Sequence, residues 1–497
     1  MSRFKLLSAV VLCFLFANAA IAQSYRAFVD AVVKEETNNP YIEKYANELI
    51  NGIGPRLIGT PQLQQAHDWA VAKYKSWGID ARNEKWGDYN GWERGITHVD
   101  LVSPRVKSLE ALLMGRSPGL QKPVTGEVVV IPNLPDTTAM KSWLQSAKGK
   151  FVLMSPYQPT GWPDEEWAAS TSKPAFDRMK RQRDSIVQEF NRRRSKINNR
   201  LLTQVGIAGL LVNNWTRALG AERIMTAQYS GIPTIDISLE DYSMLYHLAE
   251  SGYKPMINVD AQSKSTGWVP AYNTIAEIKG KIPNEYVMLS AHLDSWDGGA
   301  GATDNGTGTI MMMEAMRLLK KFYPNPKRTI LAGHWGAEEL GSVGARAFIE
   351  DHPEIIKNTQ ALFNHDNGTG RIGTFSGRGY PGAEVFLKRW LVAVPDTVKD
   401  HIKILRFPGA PSDGGSSDHT SFGSVGVPAF SPVSLGWQYL TQTWHTNKDT
   451  YDKIVFDDVR NNAMFIAVMV YMACEDNERI SKPETVTEPA RKVPRKL

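Results

Sequence analysis

Four short runs of this chain carry side chains that can hold a cation or move a proton, and three of them stand just after an apolar segment. Ser290-Ala-His-Leu-Asp-Ser295 sets His292 and Asp294 at the end of one such segment, and the glycine-rich residues 298–308 that follow enclose Asp304 and Asn305. A glycine loop ahead of a helix can cradle a phosphate, but this one lacks the Gly-Lys-Thr ending of a nucleotide site. Gly336-Ala-Glu-Glu-Leu340 adds Glu338 and Glu339. Alone, two adjacent glutamates make an ordinary exposed turn; buried beside other acids they repel and need a positive partner. Asn364-His-Asp366-Asn-Gly368 brings Asp366 to the same edge, and Trp444-His-Thr-Asn-Lys-Asp-Thr450 places His445 in a loop before the last long helix. Ser417-Asp-His-Thr-Ser421 adds a polar turn whose Ser417 and His419 serve equally well as substrate contacts or as structural groups. Two imidazoles with three carboxylates suit a pair of borderline divalent ions, because zinc accepts both ligand types whereas calcium asks for oxygen alone. Manganese and cobalt compete for such a set.

These side chains have to be held by regular elements, and the apolar spacing supplies them. Strands at 286–291, 329–334 and 359–364 alternate with helices at 308–322, 343–352 and 382–392. Repeated βα units predict an α/β fold with a mixed, mostly parallel sheet sandwiched by helices. Ligands in such sheets gather at the carboxyl ends of the strands, where the chemical runs stand. Upstream, residues 41–50 and 61–77 have helical spacing around a turn-rich stretch at 52–60. From about residue 123 the pattern turns to short β-rich runs at 127–131, 150–154 and 210–212, a further strand near 231–235 and a helix at 240–251, with no catalytic cluster among them. The expected organisation is a signal peptide at 1–22, a first part of the main domain at 23–117, an inserted β-rich module at 118–262, the catalytic domain at 263–481 and a loose tail at 482–497.

A chain of 497 residues, 42% hydrophobic and 22% charged, is an ordinary globular polypeptide long enough for two or three domains. Arg3 and Lys5 precede an apolar run at 6–16 and the small-residue exit Ala20-Ile-Ala22, the pattern of an export signal too short to span a bilayer. Export to a periplasm, cell surface or medium, with no stable membrane insertion after cleavage, is the expectation. Cys13 lies in the segment removed, so the mature chain keeps Cys474 alone and forms no internal disulfide. The net charge of +5 is small, but seven Lys and Arg residues cluster between 180 and 196. Apolar residues at helical spacing and the interrupting Asp184 and Glu189 make this a solvated helix face and not a nucleic-acid site.

With A-H-L-D-S-W-D, G-A-T-D-N-G, A-E-E-L-G-S, H-D-N-G, S-D-H-T-S-F and H-T-N-K-D-T in this order from Glu285 to Asp452, the chain resembles a zinc metallopeptidase family. That family includes bacterial and vacuolar aminopeptidases and glutamate carboxypeptidases. Gly54-Pro-Arg-Leu57, Trp92-Glu-Arg-Gly95 and the wording of H-L-D-S-W-D place the resemblance nearest the plasma glutamate carboxypeptidase branch, and the inserted module resembles a protease-associated domain. The resemblance implies two zinc ions per chain, one held by His292 and Asp366, the other by Glu339 and His445, with Asp304 between them. It also implies Glu338 as general base, Asp294 orienting His292 through its second ring nitrogen, Asp449 supporting His445, and a cis peptide after Asp304. The substrate would be a short peptide, cut from one end by water whose proton Glu338 takes.

An aminopeptidase needs an acid to hold a free amine and a carboxypeptidase or dipeptidase a base to hold a free carboxylate, and Arg378 and Arg406 are candidates for the latter without a motif behind them. Cleavage polarity stays open at this level, and a homodimer is compatible with the reading. Competing functions on the same fold are a non-catalytic peptide-binding or receptor-like module and a glutaminyl cyclase, which keeps one zinc. Retention of all five ligand positions and the base argues against both.

Overall fold

The computed structural model describes residues 25–38, 41–229, 231–377, 380, 382–405, 417–481 and 492–496. The expected signal segment and both candidate anchors, Arg378 and Arg406, lie outside the described residues.

Four parallel strands form the centre, in the spatial order Ala429–Phe430, Thr359–Asn364, Tyr286–His292, Thr329–Trp335. The last two run in step, Thr329 opposite Tyr286 and Trp335 opposite His292. Thr329–Trp335 and Thr359–Asn364 are buried at every position, which is what strands covered on both faces require and why they read in sequence as continuous apolar runs. Helices Thr307–Phe322 and Phe456–Glu475 pack with Val287, Leu289 and Phe363 in the main core. Met288, Leu331 and Trp335 pack instead with Phe348 of helix Val343–Asp351 and Phe422 of helix Asp418–Ser424. The expected α/β sandwich is therefore present, with its elements within one or two residues of their predicted bounds.

Two long strands depart from the sequence reading. Asp80–Ser103 and Met256–Ile278 pair antiparallel from Asp80 opposite Glu277 to Ser103 opposite Met256, interrupted by four register shifts. At one end Met256–Ile278 pairs with Thr329–Trp335, and at the other with Val124–Val130. Val124–Val130 begins a second parallel set that continues through Phe151–Leu153, Gly209–Val212 and Thr234–Ile237 and closes on antiparallel Ala111–Leu113. One sheet of twelve strands thus passes from the main core into separate apolar clusters around Phe151 and Leu210. The bulges and the change of partner along the ribbon erase the two-residue alternation by which a strand is recognised.

The basic stretch forms a 22-residue helix, Lys173–Arg194, whose Met179, Arg183 and Phe190 face inward. Arg183 is paired with Asp164 at 2.6 Å, while Arg192 and Arg193 pair with Glu189 on the helix itself. Of the tail expected to be loose, residues 492–496 are docked. Val493 is buried and its N–H donates to Glu350, and Arg495 bonds both Glu350 and Asp351.

The turn-rich stretch before helix Pro61–Ser76 carries Arg56, which is completely buried. Its guanidinium donates to the carbonyls of Gly54, Leu293, Ala300 and Gly301 at 2.8–2.9 Å, and its backbone exchanges bonds with Ser295. Burial draws its pKa down to about 10 and Asp449, Asp294 and Asp304 resist, so it stays charged at neutral pH. Four carbonyls from two loops lose their donor if this group is removed. Arg56→Met is expected to destabilise the protein by about 3–5 kcal/mol, read as a lower urea midpoint; a loss below about 1 kcal/mol would contradict this account.

Candidate metal centre

The chemical residues sit where the parallel strands end. His292 closes strand Tyr286–His292, and its neighbour Thr329–Trp335 runs into Gly336 and Ala337 before the short turn Glu338–Leu340. Ala337 has φ 65°, a left-handed conformation a side chain tolerates poorly and functional turns often hold. Asp294 fixes that turn: one carboxylate oxygen accepts the N–H of Glu338 at 3.1 Å and the other that of Glu339 at 3.3 Å. The carboxylate was expected to take the second ring nitrogen of His292. Instead His292 Nδ1 donates to the backbone carbonyl of Asp294 at 2.9 Å, with the carboxylate 3.6 Å away and committed to the two amides. Asp294 still orients both elements, by its main chain on one side and its side chain on the other.

Asp304 lies in the buried turn Ala302–Gly306, and the Asp304–Asn305 peptide is cis. Its amide and that of Thr303 donate to Asp449 at 3.1 and 2.7 Å. Asp449 therefore holds the Asp304 turn, where support of His445 was expected; the two N–H groups occupy its carboxylate. A side chain at Gly299 would meet the backbone oxygens of Thr446 and Asp449 at 2.6 and 2.8 Å, so only glycine lets these loops close together.

Asp304 faces both imidazoles. One oxygen is 3.4 Å from His292 Nε2 and the other 3.2 Å from His445 Nε2. His292 Nε2 also lies 3.2 Å from Asp366, and His445 Nε2 lies 3.0 Å from Glu339. Two groups result, His292 with Glu338 and Asp366, and Asp304 with Glu339 and His445, each with ligand atoms within 4.8 Å of one another. Asp304 Oδ2 and Glu339 Oε1 are buried with no hydrogen-bond partner among the described residues. Buried carboxylate oxygens without donors are costly, and imidazole nitrogens aimed at them in this way are the donor set of a divalent cation. The residues fit two such ions.

The electrostatics carry the same mark. Burial pushes Glu339 up to about 7, with Asp304 adding to it and His445 opposing. Burial likewise raises Glu338 well above the carboxylate range, with Asp366, Asp418 and Glu339 adding to it against His292. Burial opposes the charged form of His445, yet Asp304 and Glu339 outweigh it and lift the imidazole to about 9. Three groups at this site were not read as functional from sequence. Asp418 is fully buried, and burial, then Asp366 and Asp294, raise it well above its usual range. Arg56 gives the surrounding acids a permanent positive charge. Tyr439 packs against Gly368 and is shifted upward by burial and by Asp304, Asp366, Asp449 and Glu339. Asp418 and Arg56 stood inside motifs already singled out; Tyr439 carried no local signal. Of the two proposed substrate contacts, Ser417 is buried and its Oγ accepts from Asn364, while buried His419 lies in the first turn of helix Asp418–Ser424.

Known proteins resemble this chain at two levels. In sequence, human carboxypeptidase Q is 26% identical over 467 residues, 92% of this chain and 90% of that protein. In structure, a peptidase M28 precursor from Shewanella amazonensis superposes with a TM-score of 0.65 at 22% identity, covering 93% of this chain and 99% of that one. A zinc aminopeptidase from Bacillus subtilis gives a TM-score of 0.55 at 18% identity, covering 90% and 96%. The family model described as peptidase family M28 matches residues 273–470, which contain every residue of the two candidate metal-binding groups.

Proposed function

We propose that this protein is an exported di-zinc exopeptidase that hydrolyses short peptides. The observation that carries the reading is the meeting of two imidazole–carboxylate groups at the two oxygens of Asp304, with Glu338 beside them. Zinc held by His292, Asp304 and Asp366 on one side and by Asp304, Glu339 and His445 on the other would polarise a scissile carbonyl and ease deprotonation of water. The match of residues 273–470 to the peptidase family M28 model and the likeness to carboxypeptidase Q across most of both chains support a peptide as substrate.

Glu338 is the group placed to move protons. It is buried beside His292 and Asp366, on a turn that Asp294 holds through the Glu338 amide, so its carboxylate reaches the pocket from a rigid backbone. In the reaction it takes a proton from the attacking water and returns one to the departing amine, so that water and peptide become a carboxylate and an amine with no covalent enzyme intermediate. Glu339, next in sequence, faces His445 instead, so the adjacent acids divide into base and ligand. Export rests on the apolar segment at 6–16; among the described residues no helix is long and apolar enough to cross a membrane. Residues 118–262 are read as an inserted protease-associated module, on the strength of their parallel strands and the apolar cluster around Leu210.

Purified mature protein is expected to release amino acids from dipeptides and short peptides, to lose this activity to a chelator and to regain it with zinc. Peptides blocked at both ends should stay intact, and the single block that stops cleavage identifies the terminus recognised. Glu338→Gln is expected to lower kcat by about 10²–10⁴-fold while leaving the bound zinc content unchanged. Zinc-loaded protein that binds peptides and cuts none would replace the peptidase with a binding module.

A further inference from the structure

The two imidazoles are held in different ways. His292 donates from Nδ1 to the carbonyl of Asp294, the usual means by which a ligating histidine has its ring plane fixed. His445 Nδ1 is buried with no hydrogen-bond partner among the described residues. Its residue also sits at φ 59°, in the left-handed region, so the loop itself holds it in an uncommon conformation. Something other than a hydrogen bond must set its ring.

The structure offers a stack. Trp444 lies face to face with the His445 ring, centroids 4.0 Å apart and planes 29° from parallel, while Trp296 meets it at 5.8 Å and 61°. Trp444 is in turn covered by the guanidinium of Arg223, 4.5 Å from the ring centroid. Arg223 comes from the irregular run between strands Gly209–Val212 and Thr234–Ile237, in the stretch read from sequence as free of catalytic groups. Its Nη2 donates to the carbonyl of Leu440 at 3.1 Å. The backbone around it grips the same loop: Ile224 N–H donates to the His445 carbonyl at 2.8 Å, Arg223 forms an antiparallel bridge with Thr446, and Glu222 exchanges bonds with Asn447 at 2.9 and 3.0 Å. Gly298, in the loop after His292, closes against Ile224 so tightly that a side chain there would lie 2.2 Å from Ile224 Cβ.

We propose that Arg223 is a positioning residue for the metal ligand His445, acting through Trp444. The cation holds the indole by its π face, and the indole holds the imidazole plane. This rests on the zinc reading of the site, and it assigns the residues before Thr234 a part in building the metal pocket. Arg223 does not touch the ions; it limits the rotation of one ligand, as the Asp294 carbonyl does for the other.

The test is zinc titration of the full mature chain, stripped of metal, against a chromophoric chelator, for wild type, Arg223→Met and Arg223→Lys. Arg223→Met keeps the length of the side chain and removes its charge. It is expected to weaken one of the two zinc equivalents by about 10- to 100-fold and to leave the other unchanged. Arg223→Lys, which keeps a cation over the ring, is expected to stay within about threefold of wild type. Cobalt substitution should show an altered visible spectrum for one equivalent only in Arg223→Met. Unchanged affinities and spectra in Arg223→Met would overturn the proposal. So would equal weakening of both equivalents together with a lower melting temperature of the metal-free protein, which is the signature of general damage. Wild-type protein that takes up no zinc would remove the metal reading beneath it, an outcome separate from either of these.

Discussion

Seven carboxylates, from Asp294, Asp304, Glu338, Glu339, Asp366, Asp418 and Asp449, are gathered in one largely buried pocket around two imidazoles and a single guanidinium. Like charges at this density cannot coexist out of water unless cations share the space or protons neutralise some of them. Much of the surrounding architecture answers to that constraint. Arg56 lies completely buried beneath the loops, bonded to four carbonyls, where its charge is felt by Asp294, Asp304 and Asp449. Asp294 and Asp449 spend their oxygens on backbone amides, which fixes the turns bearing Glu338, Glu339 and Asp304 and keeps those turns from relaxing away from one another.

The strands contribute by geometry. Because Tyr286–His292, Thr329–Trp335 and Thr359–Asn364 are parallel, with Trp335 opposite His292 and Asn364 opposite Ser290, their ends reach the same rim, and residues far apart in the chain arrive there together. A chain of polar groups ties those ends beneath the pocket: Trp335 donates to Ser290, Ser290 to Asn364, and Asn364 to Ser417. Each group is buried and each bond joins different segments, so a shift of one strand end is felt at the others.

The catalytic half of the molecule was legible because its signals are local. A buried strand reads as an apolar run, and polar residues at or just past its end stand out: His292 closes Tyr286–His292, Glu338 and Glu339 follow Trp335 within four residues, and Asp366 follows Asn364 by two. What stayed hidden depends on partners distant in sequence. The residue types at Asp294 and Asp449 were apparent, but which of their atoms meets which neighbour follows from loop geometry that no spacing encodes. Arg56 stood in a quoted motif without a role, since its four acceptors are main-chain oxygens. The strands Asp80–Ser103 and Met256–Ile278 were missed because bulges and a change of partner break their alternation. The docked residues 492–496 went unseen for a related reason: a short basic and proline-containing tail looks the same whether it floats or finds Glu350 and Asp351.

That paired ribbon also sets an order in time. Ser103 lies opposite Met256 and Asp80 opposite Glu277, so the first strand cannot complete its pairing until the chain has been synthesised past Glu277. At about 5–20 residues per second, the segment carrying Arg56 and the first strand waits roughly 10 to 40 seconds with its neighbours still unmade. During that interval the strands between Val124 and Ile237 are already complete and free to pair among themselves, before the parallel strands that end at the candidate site have been made. The pocket, which needs His445 and Asp449, can close only when nearly the whole chain has been made.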